Sequence, residues 1–293
     1  MTARTTWWQR LLLGTLGLLG VAALWEGYKA LAPDDGVVLG DTTILPRSSD
    51  LAMPHVWTMI SRLFDPVIGT PGAEPMWQGI LDAGLFSLRL AATGWVIGVV
   101  VGMLLALTMQ RFAVAEAAVL PWIVLSQTVP LVAIAPLVRR WGSEITIGGF
   151  EWQSEHSVAV IAAYLAFFPV AVGALRGLKS PEATHLDLMH TYGIGWGRTL
   201  LRLRLPASVP YLLPALRLAA AAAVIGTVVA EVSIGLTGGI GRLIIEYAQS
   251  ASSDPAKPWA PIFGAIAVGL VAAGFVSLIG LLLKPYRRSE APA

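Results

Sequence analysis

The chain contains no cysteine and few charged residues. Of its 293 residues, 13% are Asp, Glu, Lys or Arg and 56% are hydrophobic. The absence of cysteine excludes disulfides, thiolate nucleophiles and cysteine-ligated metal centres. The charged fraction is about half of the roughly 25% usual for soluble domains, and the mean hydropathy is +0.70. This composition argues against a soluble globular domain and against a disordered chain, and it predicts a membrane protein.

Several catalytic and nucleotide-binding motifs are absent as well. The sequence contains no GxxxxGK[ST], HExxH or GxSxG pattern, so we expect neither ATP binding by a P-loop nor zinc-protease or serine-hydrolase chemistry. The histidines are scattered outside the apolar stretches, and His185 and His190 are better explained as solvated residues than as metal ligands. We therefore predict no catalytic residue and no metal site, and we expect that the chain is not an enzyme.

Long uncharged stretches separate the charged residues. A bilayer core is about 30 Å thick, and a spanning helix needs roughly 20 apolar residues. The predicted fold is therefore an all-α polytopic membrane protein with six transmembrane helices, at residues 11–31, 83–109, 115–138, 157–176, 208–231 and 259–283. Arg4 and Arg10 before the first apolar run also fit a secretory signal peptide. Because no small-x-small cleavage pattern follows, we predict a retained helix.

The placement of Lys and Arg predicts how these helices are oriented. Basic residues concentrate in segments that lie inside if the N-terminus is cytoplasmic, whereas residues 32–82 and 141–156 are mostly acidic. Cytoplasmic segments of membrane proteins carry such an excess of Lys and Arg. Arg139 and Arg140, at one outer end, are the exception. We therefore expect both termini in the cytoplasm.

This topology divides the chain into four regions. They are an N-terminal transmembrane helix at 1–32, an extracytoplasmic segment at 33–82, a five-helix core at 83–283 and a cytoplasmic tail at 284–293. Within the extracytoplasmic segment, residues 51–64 are predicted to form an interfacial helix anchored by Trp57 and Phe64. We find no internal repeat, which counts against a carrier built from inverted repeats.

The connection between the fourth and fifth predicted helices, residues 178–206, has the chemistry of an ordered loop. Ser180 is a suitable N-cap and Pro181 a suitable first residue for a helix over 182–192. Gly193 stands where a helix-ending glycine is expected. Apolar residues recur at every third position of this helix and form one face, which consists of Ala183, Leu186, Met189 and Tyr192.

A second amphipathic segment, Trp196–Leu205, carries arginines among leucines and is expected to end at Pro206. The two segments together form a helix–turn–helix at the cytoplasmic face. They offer a surface to a soluble partner or, alternatively, rest on anionic lipid head groups.

The spacing within this loop resembles the EAA loop of ABC importer permeases. Asp187, Leu188 and Met189 stand at the Glu-Ala-Ala positions, so only the acidic character of the first is kept. The later positions of the pattern, at matching spacing, are Gly193, Leu203, Leu205 and Pro206. The resemblance extends over about 83–283. The stretches 129–137, 213–217 and 235–243 are similar to the nitrate, sulfonate and taurine subfamily, which also contains permeases for vitamins and their precursors.

The resemblance implies a type I ABC permease core that imports a small solute, anionic or vitamin-like, across the bacterial inner membrane. It implies an ATPase dimer that binds ATP and Mg, a second permease subunit forming a homodimer, and an extracytoplasmic solute-binding protein, all within membrane lipid and without nucleic acid. The expected ATPase-coupling residues are Glu182, Ala183, Leu186, Asp187, Leu188, Met189, Gly193, Leu203, Leu205 and Pro206.

Other residues are candidates for helix packing or for the solute pathway. Gly94, Gly98 and Gly102 form a stripe that lets another helix approach closely. In the middle of the predicted third helix, Ser126, Gln127 and Thr128 either face the pathway or make interhelical hydrogen bonds. Arg217, in the fifth predicted helix, either attracts an anionic substrate from the inner half of the membrane or pairs with a carboxylate of a neighbouring helix or loop.

Two other classes remain. An ion-coupled secondary carrier needs acidic residues near the bilayer midplane, and none is evident. An integral membrane enzyme or assembly factor would not explain the ordered loop.

Overall fold

The computed structural model describes residues 7–39, 42–67 and 73–282, and most of these are helical. The helices are α1 (Trp7–Leu31), α2 (Val56–Ser61), α3 (Met76–Arg111), α4 (Ala113–Ser126), α5 (Leu131–Gly142), α6 (Ser154–Leu178), α7 (Ala183–Thr191), α8 (Trp196–Thr199), α9 (Leu205–Ile234), α10 (Ile240–Ala248) and α11 (Trp259–Leu282). Two antiparallel hairpins pair β1 (Val37–Leu39) with β2 (Thr42–Leu45) and β3 (Thr146–Ile147) with β4 (Phe150–Glu151). Arg4 and the tail at 284–293 lie outside the described residues.

Several of these helices are long and apolar enough to cross a membrane. Within the described ranges they are α3, α6, α11 and the continuous stretch Trp196–Ile234, and the bent pair of α4 and α5 makes a fifth if it is one span. Helix α1 is not among them, so the predicted count of six transmembrane helices stays a prediction.

The chain forms two compact units, and the first consists of residues 1–80 and 245–262. In this unit the buried ammonium group of Lys29, at the end of α1, lies 2.7 Å from the Asp50 carboxylate and donates to the carbonyls of Ser48 and Met53. Glu26 accepts a hydrogen bond from the backbone N–H of Val56 at 2.7 Å. These contacts attach the segment that precedes α2 to the end of α1.

The predicted interfacial helix over 51–64 is shorter in the structure. It consists of α2 and one 3₁₀ turn, Arg62–Phe64. Trp57 and Phe64 are both exposed, as interfacial anchors would be.

The second unit consists of residues 81–244 and 263–293, and helices α6 and α9 run through its core. The two helices are antiparallel, because Gly177 near the end of α6 lies against Ser208 near the start of α9, and Gly226 lies against Ala162. The core between them is rich in alanine, including Ala166, Ala219 and Ala223. Small side chains let helix backbones approach closely, which is a main source of packing energy in lipid.

The glycine stripe of α3 lies against α6. A Cβ on Gly98 would stand 2.7 Å from the Cβ of Ala166, and one on Gly102 would stand 2.6 Å from the carbonyl oxygen of Phe167. Gly94 is equally close to Ala162. Any side chain at these glycines would push the two helices apart.

The predicted continuous helix over 115–138 is wrong. The structure breaks it into α4 and α5, which are bent by 103° relative to each other. Three-residue turns close the end of α4, with Val129 N–H donating to the Ser126 carbonyl. Pro130 has no N–H to continue the ladder and disfavours a helical conformation at Val129. The absence of charge in this stretch concealed the break.

The prediction that Pro206 ends the second loop segment is also wrong. Helix α8 continues through a π-helical turn, Leu200–Arg204, directly into α9. Pro206 lies in the first turn of α9, directly after the π-helical turn, and the N–H that proline lacks does not end the helix there.

Candidate functional site

Helix α7 forms the tip of the loop between α6 and α9, and it is shorter than the predicted 182–192. Its last turn is closed by two backbone hydrogen bonds, from Gly193 N–H to the His190 carbonyl at 2.9 Å and from Ile194 N–H to the Met189 carbonyl at 3.0 Å. Gly193 has φ of +66°. This is the Schellman arrangement, in which the left-handed residue after the C-cap is usually glycine.

Ser180 does not cap this helix, contrary to the sequence prediction. Its hydroxyl donates to the carbonyls of Gly177, at 2.8 Å, and Ala207, at 3.3 Å, so it links the end of α6 to the start of α9. Glu182 occupies the N-cap position instead, without a side-chain capping bond. Ser180 therefore holds the base of the loop closed.

The surface of α7 is largely uncovered. The helix contains no buried residue; Leu188 is 53% exposed and Tyr192 is 75% exposed. Of the predicted apolar face, only Leu186 and Met189 are half-buried, whereas Ala183 is exposed. The Asp187 carboxylate is exposed too, and it makes no ion pair with any residue in the described part of the chain. An exposed apolar surface with an acidic residue at its centre is suited to a protein partner.

The base of the loop, in contrast, is fixed to the core. The Arg204 guanidinium donates to the Leu178 carbonyl at 2.8 Å, and Leu200 packs into a cluster with Ala174 and Leu178. Leu203, Leu205 and Pro206 are half-buried in the same region. The stretch that follows α7 is thereby anchored on α6.

Three further contacts link the loop to α3 and α4. The Trp196 indole donates to the Gln110 side chain at 3.3 Å, and the Arg111 guanidinium lies 5.1 Å from the centre of the same indole ring. Lys179 forms an ion pair with Glu116. These anchoring residues could not be identified from the sequence, because only the basic and aromatic character of the segment is visible without the fold.

The structure places the Ser126, Gln127 and Thr128 candidates at the break between α4 and α5, not in the middle of a helix. The Ser126 hydroxyl donates to the Ile123 carbonyl at 2.7 Å and the Thr128 hydroxyl to the Leu125 carbonyl at 2.8 Å. The Tyr164 hydroxyl of α6 donates to the Ser126 carbonyl. The hydroxyls thus bond within α4, while Tyr164 connects the break to α6.

Arg217 lies elsewhere in the second unit. Its exposed guanidinium is 3.6 Å from the position that a Cβ on Gly280 would take, so it stands beside α11. No carboxylate of the described residues pairs with it. The structure therefore does not bring Arg217 into contact with the polar residues at the break.

A buried carboxylate lies at the end of α9, opposite the loop. Glu231 is fully buried and accepts hydrogen bonds from the Ser87 hydroxyl at 2.7 Å and the Gly241 N–H at 2.8 Å. The Ser87 oxygen in turn accepts from the Ile240 N–H at 2.9 Å. Ser87 and Glu231 thus accept the first two free N–H groups of α10, those of Ile240 and Gly241 respectively, a role that spacing in the sequence does not reveal.

A bundle of long apolar helices with a bent pair, α4 and α5, and an exposed helix on an anchored loop is the architecture of a helical membrane protein. Residues 98–287 match the family described as binding-protein-dependent transport system inner membrane component. The chain belongs to this family.

Named relatives agree with this assignment. The formylaminopyrimidine transport permease protein ThiX of Halalkalibacterium halodurans is 31% identical over 82% of this chain and 94% of its own length. The putative aliphatic sulfonates transport permease protein SsuC of Bacillus subtilis is 28% identical over 72% of this chain and 74% of its own. The riboflavin transport system permease protein RibX of Chloroflexus aurantiacus is 29% identical over 60% of each.

The chain is therefore the membrane permease subunit of an ABC importer and not an enzyme, as the EAA-like loop indicates. Subunits of this kind work with a separate ATPase and a solute-binding protein. The alternatives of an ion-coupled carrier and an assembly factor find no support among these relatives.

Proposed function

We propose that the permease takes up a small solute and that the loop over 178–206 couples it to the ATPase, with α7 seated on that partner. The observation that carries the proposal is the contrast within the loop: α7 is uncovered, while Ser180, Arg204 and Trp196 fix its base to the helical core. A solvated loop without a partner would not need such anchoring, and a lipid-resting loop would not present the exposed Asp187 carboxylate.

Because its base is anchored, the loop can transmit a movement of α7 to the helical core. Helices α6 and α9 continue from its two ends and pack along their lengths, so displacement of α7 would move both helices together. Rigid-body movement of packed helices about an interface is a common form of conformational switching. ATP binding and hydrolysis on the partner, with Mg, would then open the pathway alternately to each side.

The two ends of the second unit suggest where the remaining partners bind. Helix α6 has 25 residues and is about 37 Å long at 1.5 Å per residue, so its Ser154 end lies far from the loop. We propose that this opposite end faces the solute-binding protein, that both termini are in the cytoplasm of a bacterial cell, and that a second identical permease completes the pathway within the lipid.

The break between α4 and α5 is the part of the structure that we place beside the solute pathway. Non-helical backbone at membrane depth is tolerated where it is buried in protein or lines a water-filled cavity. We therefore propose that residues 126–130 border the solute route and that Arg217 faces it or the second subunit. Relatives named for a pyrimidine, sulfonates and riboflavin favour a small anionic or vitamin-like solute.

Co-purification with the ATPase tests the proposed docking. The variant Leu188→Glu places a charge on the exposed apolar part of α7 and should abolish co-purification and ATP-driven uptake in proteoliposomes. Leu39→Glu, at a comparably exposed leucine of β1, is the matched control and should leave both intact. Normal co-purification of Leu188→Glu would contradict the proposal.

A further inference from the structure

Arg139 and Arg140 are two adjacent basic residues at a helix end that is predicted to lie outside the cytoplasm. They lie in the last turn of α5, at the end of the second unit opposite the 178–206 loop. Both are exposed. An outward pair of arginines brings no advantage for membrane orientation, so membrane topology does not account for the pair.

Arg139 is held in a fixed position. One guanidinium N–H donates to the Ile234 carbonyl at the end of α9, at 2.9 Å. A cation is favoured beside the carbonyls that end a helix. This bond uses one of the five N–H donors of the guanidinium, so the others are available to a ligand.

Arg140 has no carboxylate partner among the described residues. Glu155, next to the cavity residue Ser154 in the sequence, is paired with Arg89 at 2.6 Å. The Ser143 hydroxyl bonds to the backbone carbonyl of Arg140 and not to its guanidinium. The Arg140 side chain therefore presents an uncompensated positive charge.

The two arginines line an open cavity of about 440 Å³. Its other walls include Ser143, Trp152, Ser154 and Ser233. Trp152 is fixed by a hydrogen bond from its indole to Ser157, at 2.8 Å, and by contact with Gly142, where a Cβ would overlap the ring. Small-molecule sites in proteins are typically concave and of 300–1,000 Å³.

The donors that face this cavity suit an oxyanion. The hydroxyls of Ser143 and Ser233 already donate to backbone carbonyls, so the remaining donors are the two guanidinium groups and the Ser154 hydroxyl. Guanidinium groups bind carboxylate, sulfonate and phosphate groups through paired N–H donors. No acidic residue is among those that line the cavity.

We propose that this Arg139–Arg140 pocket binds the oxyanion group of the transported solute as it enters from the side opposite the coupling loop. The inference rests on the proposed function, which defines that side as outward. The expected ligand is a small anion and not a carboxylate of another protein, because the cavity is concave and Trp152 in its wall is already held in place.

A ¹⁹F NMR titration of the permease–ATPase complex in nanodiscs tests the pocket. The probe is triflate, with uncharged 2,2,2-trifluoroacetamide as its neutral counterpart. We expect triflate to bind and the amide not to bind. Arg140→Gln should weaken triflate binding by about tenfold, the range that loss of one charge-assisted hydrogen-bonded contact of about 1.4 kcal/mol gives.

Two further variants separate local from general charge effects. Arg140→Lys keeps the charge and should retain most of the triflate affinity, whereas Arg47→Gln removes an exposed charge from the first unit and should leave the affinity unchanged. Equal weakening by Arg47→Gln and Arg140→Gln would overturn the inference, as would equal binding of the amide and triflate.

The same preparations are assayed for the bound ATPase, so that the two proposals fail separately. If the ATPase is present and Arg140→Gln binds triflate as the unaltered protein does, the pocket inference fails while the proposed function stands. If Arg140→Gln weakens only the association with the solute-binding protein, the pocket belongs to that partner and the inference fails. If no ATPase accompanies the unaltered permease, the proposed function fails and the inference falls with it.

Discussion

The carboxylate of Glu231, near the end of α9, accepts a hydrogen bond from the Ser87 hydroxyl of α3 at 2.7 Å, and both residues are buried. Ser87 also accepts from the Ile240 N–H. One serine thus connects α3, α9 and the start of α10 in the second unit. A buried carboxylate of this kind is stable only when its hydrogen bonds are complete.

Replacing Ser87 should destabilise the permease. Ser87→Ala leaves the Ile240 N–H without its acceptor and Glu231 with the Gly241 N–H but without its hydroxyl donor, and each buried group left unsatisfied costs about 1–3 kcal/mol. The measurement is the thermal unfolding temperature in detergent, and it should fall. Ser277→Ala is the matched control, since its hydroxyl bonds only to the Ala273 carbonyl of its own helix; an equal fall in both variants would argue against the Glu231 network.

A second prediction concerns the close contact between α3 and α6. Gly98→Val should lower the unfolding temperature and the yield of folded protein, because overpacking of a tight interface costs about 1–3 kcal/mol. Gly269→Val, in α11, is the control, since a Cβ at Gly269 meets no atom within 4 Å. A stable Gly98→Val variant would show that the two helices are not held as closely as described.

A third prediction concerns Gly193 and affects the loop but not the helical core. Gly193→Val places a β-branched residue at φ of +66°, where the left-handed conformation costs about 1–2 kcal/mol for a non-glycine residue. ATP-driven uptake should be lost or strongly reduced while the helical core stays folded. Gly195→Val, two residues away at φ of −66°, should retain more uptake; the opposite order of the two variants would refute the role of the turn.

The pairing of Lys29 with Asp50 gives a prediction about pH. The hydrogen bond from Lys29, together with its charge, lowers the pKa of the Asp50 carboxyl. Because the folded-state pKa is the lower one, the stabilisation is complete above the ordinary value of about 3.9 and is lost as the pH falls through the folded value.

Pepsin cleavage next to Asp50 reports this loss. Cleavage at Leu51 should be slow at pH 4.5 and rise several-fold at lower pH, and Asp50→Asn should be cleaved rapidly already at pH 4.5. Asp35→Asn, in an exposed turn outside the pair, is the control. A cleavage profile of Asp50→Asn that matches the unaltered protein would exclude this role for Asp50.

Hydropathy predicted the long helices well, because a helix that crosses the bilayer must consist mainly of apolar residues. Helices α3, α6, α9 and α11 lie where apolar stretches with few charged residues indicated them. The break at Pro130 was missed, since Ser126–Val129 interrupts the hydrogen-bond ladder without introducing a charge. Pro206 was misread for the complementary reason: a proline in a first helical turn is compatible with a continuing helix.

The candidate site divides in the same way. The turn at Gly193 could be predicted because its chemistry is local, involving only the last turn of α7. The anchors of the loop, such as Arg204 on Leu178 and Trp196 on Gln110, join residues far apart in the chain. Long-range contacts of this kind depend on how the helices pack, and no spacing within one segment specifies them.

Site-directed cross-linking can show whether α7 is the surface on which the ATPase docks. Because the chain has no cysteine, a single Leu188→Cys variant can be joined to cysteines placed in turn along the ATPase surface, with Leu39→Cys as the control. If the ATPase docks on α7, residue 188 gives a specific cross-link whose yield changes when ATP is added, and residue 39 gives none. A complex that still transports but gives no cross-link from residue 188 would show that the ATPase docks elsewhere.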